Sequence, residues 1–486
     1  MGESGVYNGE NKTVQEYIDE VPAWRDGTSS PATPLTVMQW RIWLLASAGK
    51  FFEGMMVFIT GIALPLMVRE FGLTAAEKGA IGAAPLFGIL IGASFLGSLS
   101  DRFGRKRMFI VEMLIFTVSL ICTALSPGYS CILFFLFIMG IALGCDYPTA
   151  HMIISESIPS RSRGKLVLSA FGFQAVGAMA GTLAGYMILY ETPDLSAWRW
   201  MYAAPIIPAV LITVARLFIP DSSQWLVARG RIAKAESELL SLLKRTPQYP
   251  KEVSIRIPET DRKSDKSYFD LFRKKNARAT MLASMPWFLQ DLSTYGIGIF
   301  TPTILATVIG GKIEHAKSVS DIVLNDMLSA KGAALVDILL LIGIIAAVFL
   351  ADKVGRIKLQ VLGFCGCAAG LFMASLSFGF EGHARMFFIF SGFMLFNFMT
   401  NMGPNAMTYL ISGEVFPTAV RGKGAGFAAS FGKIGAVLTA FLFPVLLKDI
   451  GTQILLHILA GTSLLGAFIT WKYRMETAGV NLEEIG

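Results

Sequence analysis

Twelve long apolar blocks dominate this sequence and constrain its fold more than any other feature. Each block is long enough to cross the hydrocarbon core of a bilayer, which takes a helix of roughly 20 residues. The pattern predicts an all-α membrane protein with twelve transmembrane helices, six on each side of a polar interruption. The blocks lie near residues 41–68, 79–100, 108–126, 131–155, 166–190, 199–219, 279–309, 333–351, 357–380, 384–412, 424–447 and 452–473.

The composition favours lipid over water as the solvent of most side chains. Hydrophobic residues make up 53% of the 486 positions and charged residues only 16%, whereas a soluble domain carries about 25% charged residues. The formal net charge is +7, but the basic residues cluster in short segments between apolar blocks rather than in one patch. We therefore expect no nucleic-acid partner, and we interpret the five cysteines as reduced packing residues.

One hydrophilic stretch, residues 220–278, divides the chain. Lys and Arg outnumber Asp and Glu there, and an excess of basic residues favours the cytoplasmic side of a membrane. With six spans on each side of this stretch, both termini are then cytoplasmic as well. The predicted division is a cytoplasmic N-terminal tail (1–40), a first six-helix bundle (41–219), a cytoplasmic linker (220–278), a second six-helix bundle (279–473) and a cytoplasmic C-terminal tail (474–486).

Charged motifs repeat between the two halves of the chain. "DRFGR" at 101–105 matches "DKVGR" at 352–356 in the spacing of Asp, Gly and Arg. "ESIPSRSRGK" at 156–165 matches "EVFPTAVRGK" at 414–423 in the positions of Glu, Pro, Arg, Gly and Lys. Two six-helix repeats of like orientation place a substrate site at their interface, near the middle of the membrane.

These motifs resemble the two signature loops of the major facilitator superfamily. "PDSSQWLVARGR" (220–231) and "METAGVNLEEI" (475–485) resemble the segments that follow the sixth and twelfth helices in its sugar-porter and organic-ion branches. "GCDYPTA" (144–150) resembles bacterial metabolite:proton symporters related to organic-ion carriers and synaptic-vesicle proteins. The resemblance implies the major facilitator fold and a secondary transporter rather than an enzyme, with the proton gradient as energy source and no cofactor.

The signature loops place charges at the cytoplasmic ends of helices. One interpretation is a latch, in which acids and bases pair until transport separates them, with Glu156 and Arg163 clustered in one half and Glu414 and Arg421 in the other. The alternative is simple topology, because basic residues anchor helix ends on the cytoplasmic side. Acids contribute little to orientation, so their repetition favours the latch. The predicted gating residues are Asp101, Arg102, Arg105, Glu156, Arg163, Asp352, Arg356, Glu414 and Arg421.

Ionisable side chains inside the apolar blocks are costly and therefore mark candidate functional sites. Glu53, Asp146 and Asp291 are the candidates for proton coupling, since a carboxyl group in apolar surroundings readily binds a proton. The resemblance to sugar porters places Glu53 where that family carries its proton-binding acid, and we expect it to face Asp291 across the cavity. Glu53 could instead pair with Lys50, one helical turn earlier, and Asp146 could neutralise Lys433 between the halves.

A second set of polar and aromatic residues is predicted to contact the substrate. Gln174 and Gln290 match positions where sugar porters contact sugar, although a buried Gln can equally bond two helices together, and an aromatic ring in a membrane helix can simply fill space. Asp291 favours a cationic substrate and Lys433 an anionic one, so the charge of the substrate stays open. The substrate-binding candidates are Gln174, Trp287, Gln290, Asp291, Tyr295, Asn397, Tyr409 and Lys433.

The predicted function is proton-coupled import of a small polar organic metabolite, an organic ion in the favoured branch, by alternating access. A sugar or polyol carrier is the alternative within transport, and a non-transporting membrane receptor is the alternative from another class. The sequence holds no G-x-x-x-x-G-K-[ST] phosphate loop and no metal-ligand spacing, so neither an ATP-driven pump nor a metal site is predicted. We expect a monomer in a bacterial inner membrane, with the lipid bilayer and a small-molecule substrate as its partners.

Overall fold

The computed structural model of the chain is helical wherever it describes regular structure. The described residues contain helices, turns and one isolated parallel bridge between Lys12 and Ile255. The long helices pack around a hydrophobic interior. The structure describes residues 12–21, 34–96, 99–245, 253–256, 268–309, 319–417 and 420–477.

The helices fall into two groups that follow the two halves of the sequence. The first group is α1 (Val14–Asp19), α2 (Val37–Phe71), α3 (Ala75–Ile91), α4 (Leu99–Phe103), α5 (Arg105–Ala124), α6 (Tyr129–Ser157), α7 (Ser160–Glu191), α8 (Ala197–Ala203), α9 (Ile206–Arg216), α10 (Ser223–Ala228) and α11 (Ile232–Leu243). The second group is α12 (Lys274–Ile309), α13 (Val319–Val354), α14 (Arg356–Leu376), α15 (Gly382–Met402), α16 (Pro404–Glu414) and α17 (Arg421–Lys472).

Twelve membrane spans follow from these helices. Ten helical segments of the described residues are long and apolar enough to cross a bilayer. One of them, α17, consists of two spans that meet at Gly451, where the backbone leaves the helical conformation with a φ of 78°. The 36-residue helix α12 supplies one more span, and it carries several polar side chains of the site. The predicted all-α architecture of twelve helices is confirmed.

Polar residues extend the membrane helices beyond their apolar blocks. α2 begins at Val37 rather than near residue 41 because Thr36 and Gln39 cap it. Each of these two side chains accepts a hydrogen bond from the backbone N–H of the other residue (3.2 and 2.8 Å). The Thr36 hydroxyl also donates to the carbonyl of Leu242 in α11 (2.7 Å). α12 also begins before its apolar block, at Lys274 inside the predicted linker.

Short helices of the tail and the linker pack together at one end of the bundle, which we call the linker end; the opposite end is the far end. α1 lies against the start of α7, where the Asp19 carboxylate accepts hydrogen bonds from the backbone and hydroxyl of Ser160 (2.7 and 2.8 Å). The Tyr17 hydroxyl bonds the backbone of Ser254, and Arg256 donates its backbone N–H to the tail (2.9 Å). The linker up to Arg256 is therefore attached to the first half.

The two halves approach each other closely at the far end. A Cβ added at Gly61 of α2 would lie 2.3 Å from the carbonyl oxygen of Ile299 in α12. A Cβ added at Gly79 of α3 would lie 2.3 Å from the carbonyl oxygen of Phe441 in α17. Small residues permit this backbone-to-backbone approach between membrane helices. The far end is therefore closed at these two crossings in this structure.

Candidate functional site

Five polar side chains from both halves meet in the middle of the bundle, and we call them the central cluster. Lys50 and Glu53 come from α2, Asp291 and Tyr295 from α12, and Lys433 from α17. The Glu53 carboxylate accepts hydrogen bonds from Lys50 (2.5 Å), and from Tyr295 (2.8 Å) and Lys433 (3.1 Å) on its other side. Asp291 lies 3.7 Å from the Lys433 ammonium group. Lys433 also donates a hydrogen bond to the Tyr295 hydroxyl.

Helical spacing explains why these residues converge. Lys50 and Glu53 are three residues apart, and Asp291 and Tyr295 are four apart, so each pair shares one face of its helix. α2 and α12 are the first spans of the two repeats and occupy equivalent places in them. The expected facing arrangement of Glu53 and Asp291 is present, and Lys433 lies between them.

The central cluster balances two acids against two lysines. Glu53 is 3% exposed and Asp291 is 1% exposed, and the lysine side chains are nearly as enclosed. Away from water, opposite charges at this separation attract strongly, and an uncompensated buried charge is costly. A change of charge on one member must therefore be matched by another change, either on a neighbour or on a bound molecule.

Two cavities open onto the central cluster. The first has a volume of about 390 Å³ and lies mainly among helices of the first half. The second has a volume of about 430 Å³ and lies between the two halves. Lys50, Tyr147 and Phe171 line both cavities, so the two adjoin. Of the predicted residues, the first cavity is lined by Glu53, Asp146 and Tyr409, and the second by Gln174, Trp287, Asp291, Tyr295 and Lys433.

Four aromatic rings surround the place where the cavities adjoin. Tyr409 of α16 stacks on Phe171 of α7 with ring centroids 4.7 Å apart. Tyr409 also meets Tyr147 and Trp287 edge to face, at 5.9 and 6.4 Å. The Lys50 ammonium group lies 4.1 Å from the ring centroid of Tyr147, a cation–π contact. Aromatic rings therefore form the walls of the site, and the Lys50 ammonium group lies against them.

Two acceptor atoms beside the second cavity have no hydrogen-bond partner among the described residues: Oδ2 of Asp291 and Oε1 of Gln174. Gln174 uses its amide N–H on the Tyr295 hydroxyl (3.3 Å), and the 3.7 Å between Asp291 and Lys433 exceeds hydrogen-bonding distance. Buried acceptors are normally satisfied by protein, water or ligand. These two atoms are therefore positions where a substrate can donate hydrogen bonds.

Two of the predicted substrate contacts are engaged with other helices. Gln290 donates to Asn405 of α16 (3.2 Å) and to Thr294 of its own helix (2.8 Å), as expected of a side chain that bonds helices together. Asn397 of α15 donates to Asp337 of α13 (3.2 Å) and is not among the residues that line the two cavities. α15 turns the Asn397 side chain towards α13 in this structure, and its contact with the substrate stays a prediction.

Asp146 pairs with Arg216 and not with Lys433. Arg216, at the end of α9, is fully buried and donates to the Asp146 carboxylate at 2.5 Å. The suggested neutralisation of Lys433 by Asp146 is therefore incorrect, since Lys433 is balanced by Glu53 and Asp291. Asp146 still lines the first cavity, but it belongs to an ion pair inside the first half.

The repeated motifs form the same ion pair in both halves. Arg105 at the start of α5 pairs with Glu156 at the end of α6 (3.1 Å). Arg356 at the start of α14 pairs with Glu414 at the end of α16 (3.2 Å), and Asp352 adds a second carboxylate (2.8 Å). The glycine before each arginine has a φ of 104° or 97°, a backbone conformation that favours glycine. Each pair fixes helix ends within one bundle and does not join the two bundles.

Arg163 departs from the expected cluster with Glu156. It donates instead to Gln15 of the tail helix (3.0 Å), because α1 packs against the start of α7. Arg102 is exposed, and its carbonyl accepts a hydrogen bond from Arg229 of the linker (3.4 Å). Asp101 and Arg421 lie in α4 and α17, but the structure does not describe their side chains, so their predicted gating role stays a prediction.

Several residues of the site carry little signal in the sequence. Tyr147 and Phe171 line both cavities, yet a ring inside an apolar block is ordinary, and Lys50 enters the sequence predictions only as a partner of Glu53. Arg216 and Glu112 do carry a signal, because both are ionisable residues inside apolar blocks. Glu112 accepts a hydrogen bond from the Thr149 hydroxyl (3.0 Å) on the helix of Asp146.

Known proteins share this architecture along almost the whole chain. The family model described as "Sugar (and other) transporter" matches residues 42–486. The inner membrane metabolite transport protein YgcS of Escherichia coli (strain K12) is 28% identical over 455 residues, which are 93% of this chain and 95% of that protein. The niacin transporter NiaP of Acinetobacter baylyi is 27% identical over 463 residues, which are 93% of this chain and 98% of that protein.

A solved structure shows the same fold. The xylose transporter XylE from E. coli, in a partially occluded inward-open conformation, matches with a TM-score of 0.74 at 21% sequence identity, over 92% of this chain and 100% of that chain. The resemblance to the major facilitator superfamily is confirmed, and the relatives are transporters rather than enzymes. The twelve-span fold, the paired motifs of the two halves and the family match together assign this chain to the sugar (and other) transporter family, as a multi-pass membrane transporter of the major facilitator superfamily.

Proposed function

We propose that the chain is a proton-coupled importer of a small organic ion and that this ion is an anion. The observation that carries the proposal is the position of Glu53. Its carboxylate contacts Lys50 on its own helix and Lys433 from the opposite half. Two ammonium groups at this distance favour the ionised form of the acid, so Glu53 takes up a proton when a bound anion offsets their charge.

Charge balance supplies the coupling. While Glu53 is ionised, the central cluster holds two positive and two negative side chains. A proton on Glu53 leaves one lysine without its counter-charge, and an anionic substrate restores the balance. Because an uncompensated buried charge is costly, proton and anion each favour the binding of the other.

Glu53 also connects proton binding to the relative motion of the two halves. Glu53 belongs to the first half, whereas Tyr295 and Lys433 belong to the second. Protonation of Glu53 weakens these contacts between halves, and transporters of this architecture work by rocking one half against the other around a fixed site. The proton therefore favours release of the contacts that hold the halves in one arrangement.

The test is Glu53→Gln, which keeps the shape of the side chain and stays neutral. Substrate should still bind and exchange across the membrane, but a pH gradient should no longer drive accumulation. The measurement is paired uptake and counterflow in proteoliposomes, with and without an imposed gradient. Glu70→Gln is the matched control, because Glu70 lies on the same helix and pairs with Arg199 at the far end (3.0 Å).

Two outcomes would contradict the proposal. Gradient-driven accumulation that survives in Glu53→Gln would move the proton site elsewhere, with Asp146 and Asp291 next in line. A wild-type protein that ignores the gradient altogether would be a uniporter or would use another ion.

A sugar or polyol is the second candidate substrate. The amide side chains of Gln174 and Asn405 line the second cavity, and amides bind hydroxyl groups with both donors and acceptors. Membership of the sugar (and other) transporter family supports this candidate as well. A thermal-shift panel of neutral polyols and organic anions separates the two: stabilisation by polyols alone would favour the sugar carrier.

We also propose that this protein acts as a monomer in a bacterial inner membrane, with its linker end in the cytoplasm. The excess of basic residues in 220–278 supports the orientation. The description of YgcS as an inner membrane protein supports the location.

A further inference from the structure

We propose that Lys50, rather than Lys433, receives the negative charge of the substrate, and that the substrate is a planar aromatic carboxylate that also carries a hydrogen-bond donor. This inference rests on the proposed anion transport and deepens it. It assigns a substrate class and names the residues that recognise the charge, the ring and the donor.

The two lysines differ in the partners that they keep. Lys433 has two carboxylates within reach, Glu53 at 3.1 Å and Asp291 at 3.7 Å, and it also donates to Tyr295. Lys50 has Glu53 as its carboxylate partner, at 2.5 Å. A proton on Glu53 therefore leaves Lys433 balanced by Asp291, whereas Lys50 loses the carboxylate that contacts it directly. Asp291 and Asp146 act on Lys50 only from a greater distance.

Lys50 is also better placed to meet a ligand. It lines both cavities, so a carboxylate bound to it can be reached from either one. Its ammonium group already lies against aromatic rings, 4.1 Å from the centroid of Tyr147 and 5.4 Å from that of Phe171. A carboxylate on Lys50 would bring the body of the ligand between these rings.

The walls around Lys50 favour a flat, unsaturated body. Phe171 and Tyr409 stack at 4.7 Å, and Tyr147 and Trp287 meet Tyr409 edge to face. Aromatic pairs gain energy beyond simple burial when they stack or meet edge to face. A six-membered aromatic ring continues this arrangement, whereas a puckered saturated ring lacks the π-system that the contacts require.

The unpartnered acceptors define the other end of the ligand. Oδ2 of Asp291 and Oε1 of Gln174 have no hydrogen-bond partner within the described part of the chain, and both residues line the second cavity. Asp291 is 1% exposed, so bulk water does not compensate its oxygen freely. A ring hydroxyl or N–H would satisfy one of these acceptors, while a ligand without a donor leaves both unpaired.

The first experiment measures equilibrium binding of four probes to purified wild-type protein at one fixed pH. The probes are 3-hydroxybenzoate, benzoate, cyclohexanecarboxylate and 3-hydroxybenzyl alcohol. We expect 3-hydroxybenzoate to bind about tenfold more tightly than benzoate, because only it can donate to the buried acceptors. The saturated ring should bind more weakly than benzoate, and the alcohol more weakly than 3-hydroxybenzoate. Equal affinity for the aromatic and saturated carboxylates would overturn the assignment of the ring.

The second experiment tests the lysines. Lys50→Gln should lose about tenfold or more in affinity for 3-hydroxybenzoate, as expected for a hydrogen bond to a charged group, while Lys50→Arg and the exposed control Lys358→Gln should retain it. Affinity for 3-hydroxybenzyl alcohol should change little in all three variants, and the same measurement shows that Lys50→Gln is folded. If Lys433→Gln loses the carboxylate while Lys50→Gln keeps it, Lys433 is the anchor and the inference fails.

The third experiment tests the aromatic wall. Phe171→Leu should weaken binding of 3-hydroxybenzoate by roughly threefold to tenfold. The matched control is Phe173→Leu, because Phe173, two residues along the same helix, packs on Trp43 with ring centroids 5.5 Å apart. Equal losses in both variants would show a structural effect rather than contact with the ligand, and would overturn this part of the inference.

The outcomes separate this inference from the function on which it rests. If small aliphatic anions bind and accumulate with the pH gradient while aromatic acids do not, the proposed anion transport stands and the substrate class is wrong. If no anion binds and neutral polyols do, both fail together.

Discussion

At the scale of single residues, Arg216 and Asp146 form a buried ion pair outside the central cluster. Arg216 is fully buried. Beyond the Asp146 carboxylate, its guanidinium donates to the carbonyls of Phe109 (2.6 Å) and Leu45 (3.1 Å). These groups come from α2, α5, α6 and α9, so one cation joins four helices of the first bundle.

Asp146→Asn should destabilise the protein strongly. It removes the carboxylate that pairs directly with the buried Arg216, and breaking a buried pair on one side costs about 3–5 kcal/mol. The measurement is the thermal-melt midpoint in detergent, with Asp449→Asn on the exposed side of α17 as the control. The double replacement Asp146→Leu with Arg216→Met should recover much of the loss. A single variant as stable as the wild type would show that Arg216 does not need Asp146.

The sequence does not show which ion-pair partner each buried charged residue has. Intramembrane position alone marks Glu53, Asp146, Asp291 and Lys433 as candidates. It does not reveal that Asp146 faces Arg216, because that depends on which way α6 is turned against α9. Side chains two residues apart on a helix point to different sides of it. The rotation of each helix, which decides the side that faces the cavity, is set by its packing against the other helices.

At the scale of helices and loops, the signature motifs join helix ends through one Arg–Glu ion pair in each half. The Arg–Glu pairs of the two halves match in partner type and in separation, 3.1 and 3.2 Å. The C-terminal tail joins the second pair, where Glu476 accepts hydrogen bonds from the backbone N–H of Arg356 (2.9 Å) and Ile357 (3.2 Å) at the start of α14. The linker joins the first pair through a hydrogen bond from Ser222 to Glu156.

Arg105→Ala should slow conformational exchange while leaving substrate affinity within about tenfold, or roughly 1.4 kcal/mol. The reason is position: Arg105 holds the end of α6 through Glu156 and is not among the residues that line the two cavities. Single-turnover counterflow measures the exchange rate, and equilibrium binding measures the affinity. Arg107→Ala, exposed on the same helix, is the control. A folded Arg105→Ala protein that no longer binds substrate would show that this residue selects rather than gates.

Gly61→Leu should hold the far end open. A side chain at this position meets the Ile299 carbonyl oxygen at 2.3 Å from its first carbon, and backbone cannot move aside as a flexible side chain would. Spin labels at Ser130 and Glu381, on a background without native cysteines, should report a longer distance across the far end. Gly426→Leu has open space around it and should leave the distance unchanged. An unaltered distance in Gly61→Leu would mean that the crossing loosens without opening.

At the scale of the whole molecule, most of the architecture can be predicted from the sequence. Apolar block length predicts the spans, because lipid requires every backbone polar group to be satisfied within a helix. The repeat of Asp, Gly and Arg predicts two bundles of like orientation, and in the structure Arg105 and Arg356 each pair with a glutamate of their own half. The side that Asn397 presents and the rings that frame Lys50 could not be predicted, since hydropathy inside a span is nearly the same on every face.

The orientation of the molecule gives a direct test. A cysteine placed at Lys234, exposed on α11, should react with a membrane-impermeant maleimide only after cells are opened. A cysteine at Ser130, exposed at the far end, should react in intact cells. The reason is the basic linker, which the positive-inside rule holds in the cytoplasm. Labelling of the Lys234 position from outside intact cells would invert the topology.

The attachment of the linker to the first half determines which parts of the chain move together. The tail helix is bonded to Ser160 at the start of α7 and to residues 253–256 of the linker, so these segments travel with the first bundle as one body when the halves rock against each other. The contacts that such a motion must break lie inside the membrane, where Glu53 of the first half meets Tyr295 and Lys433 of the second.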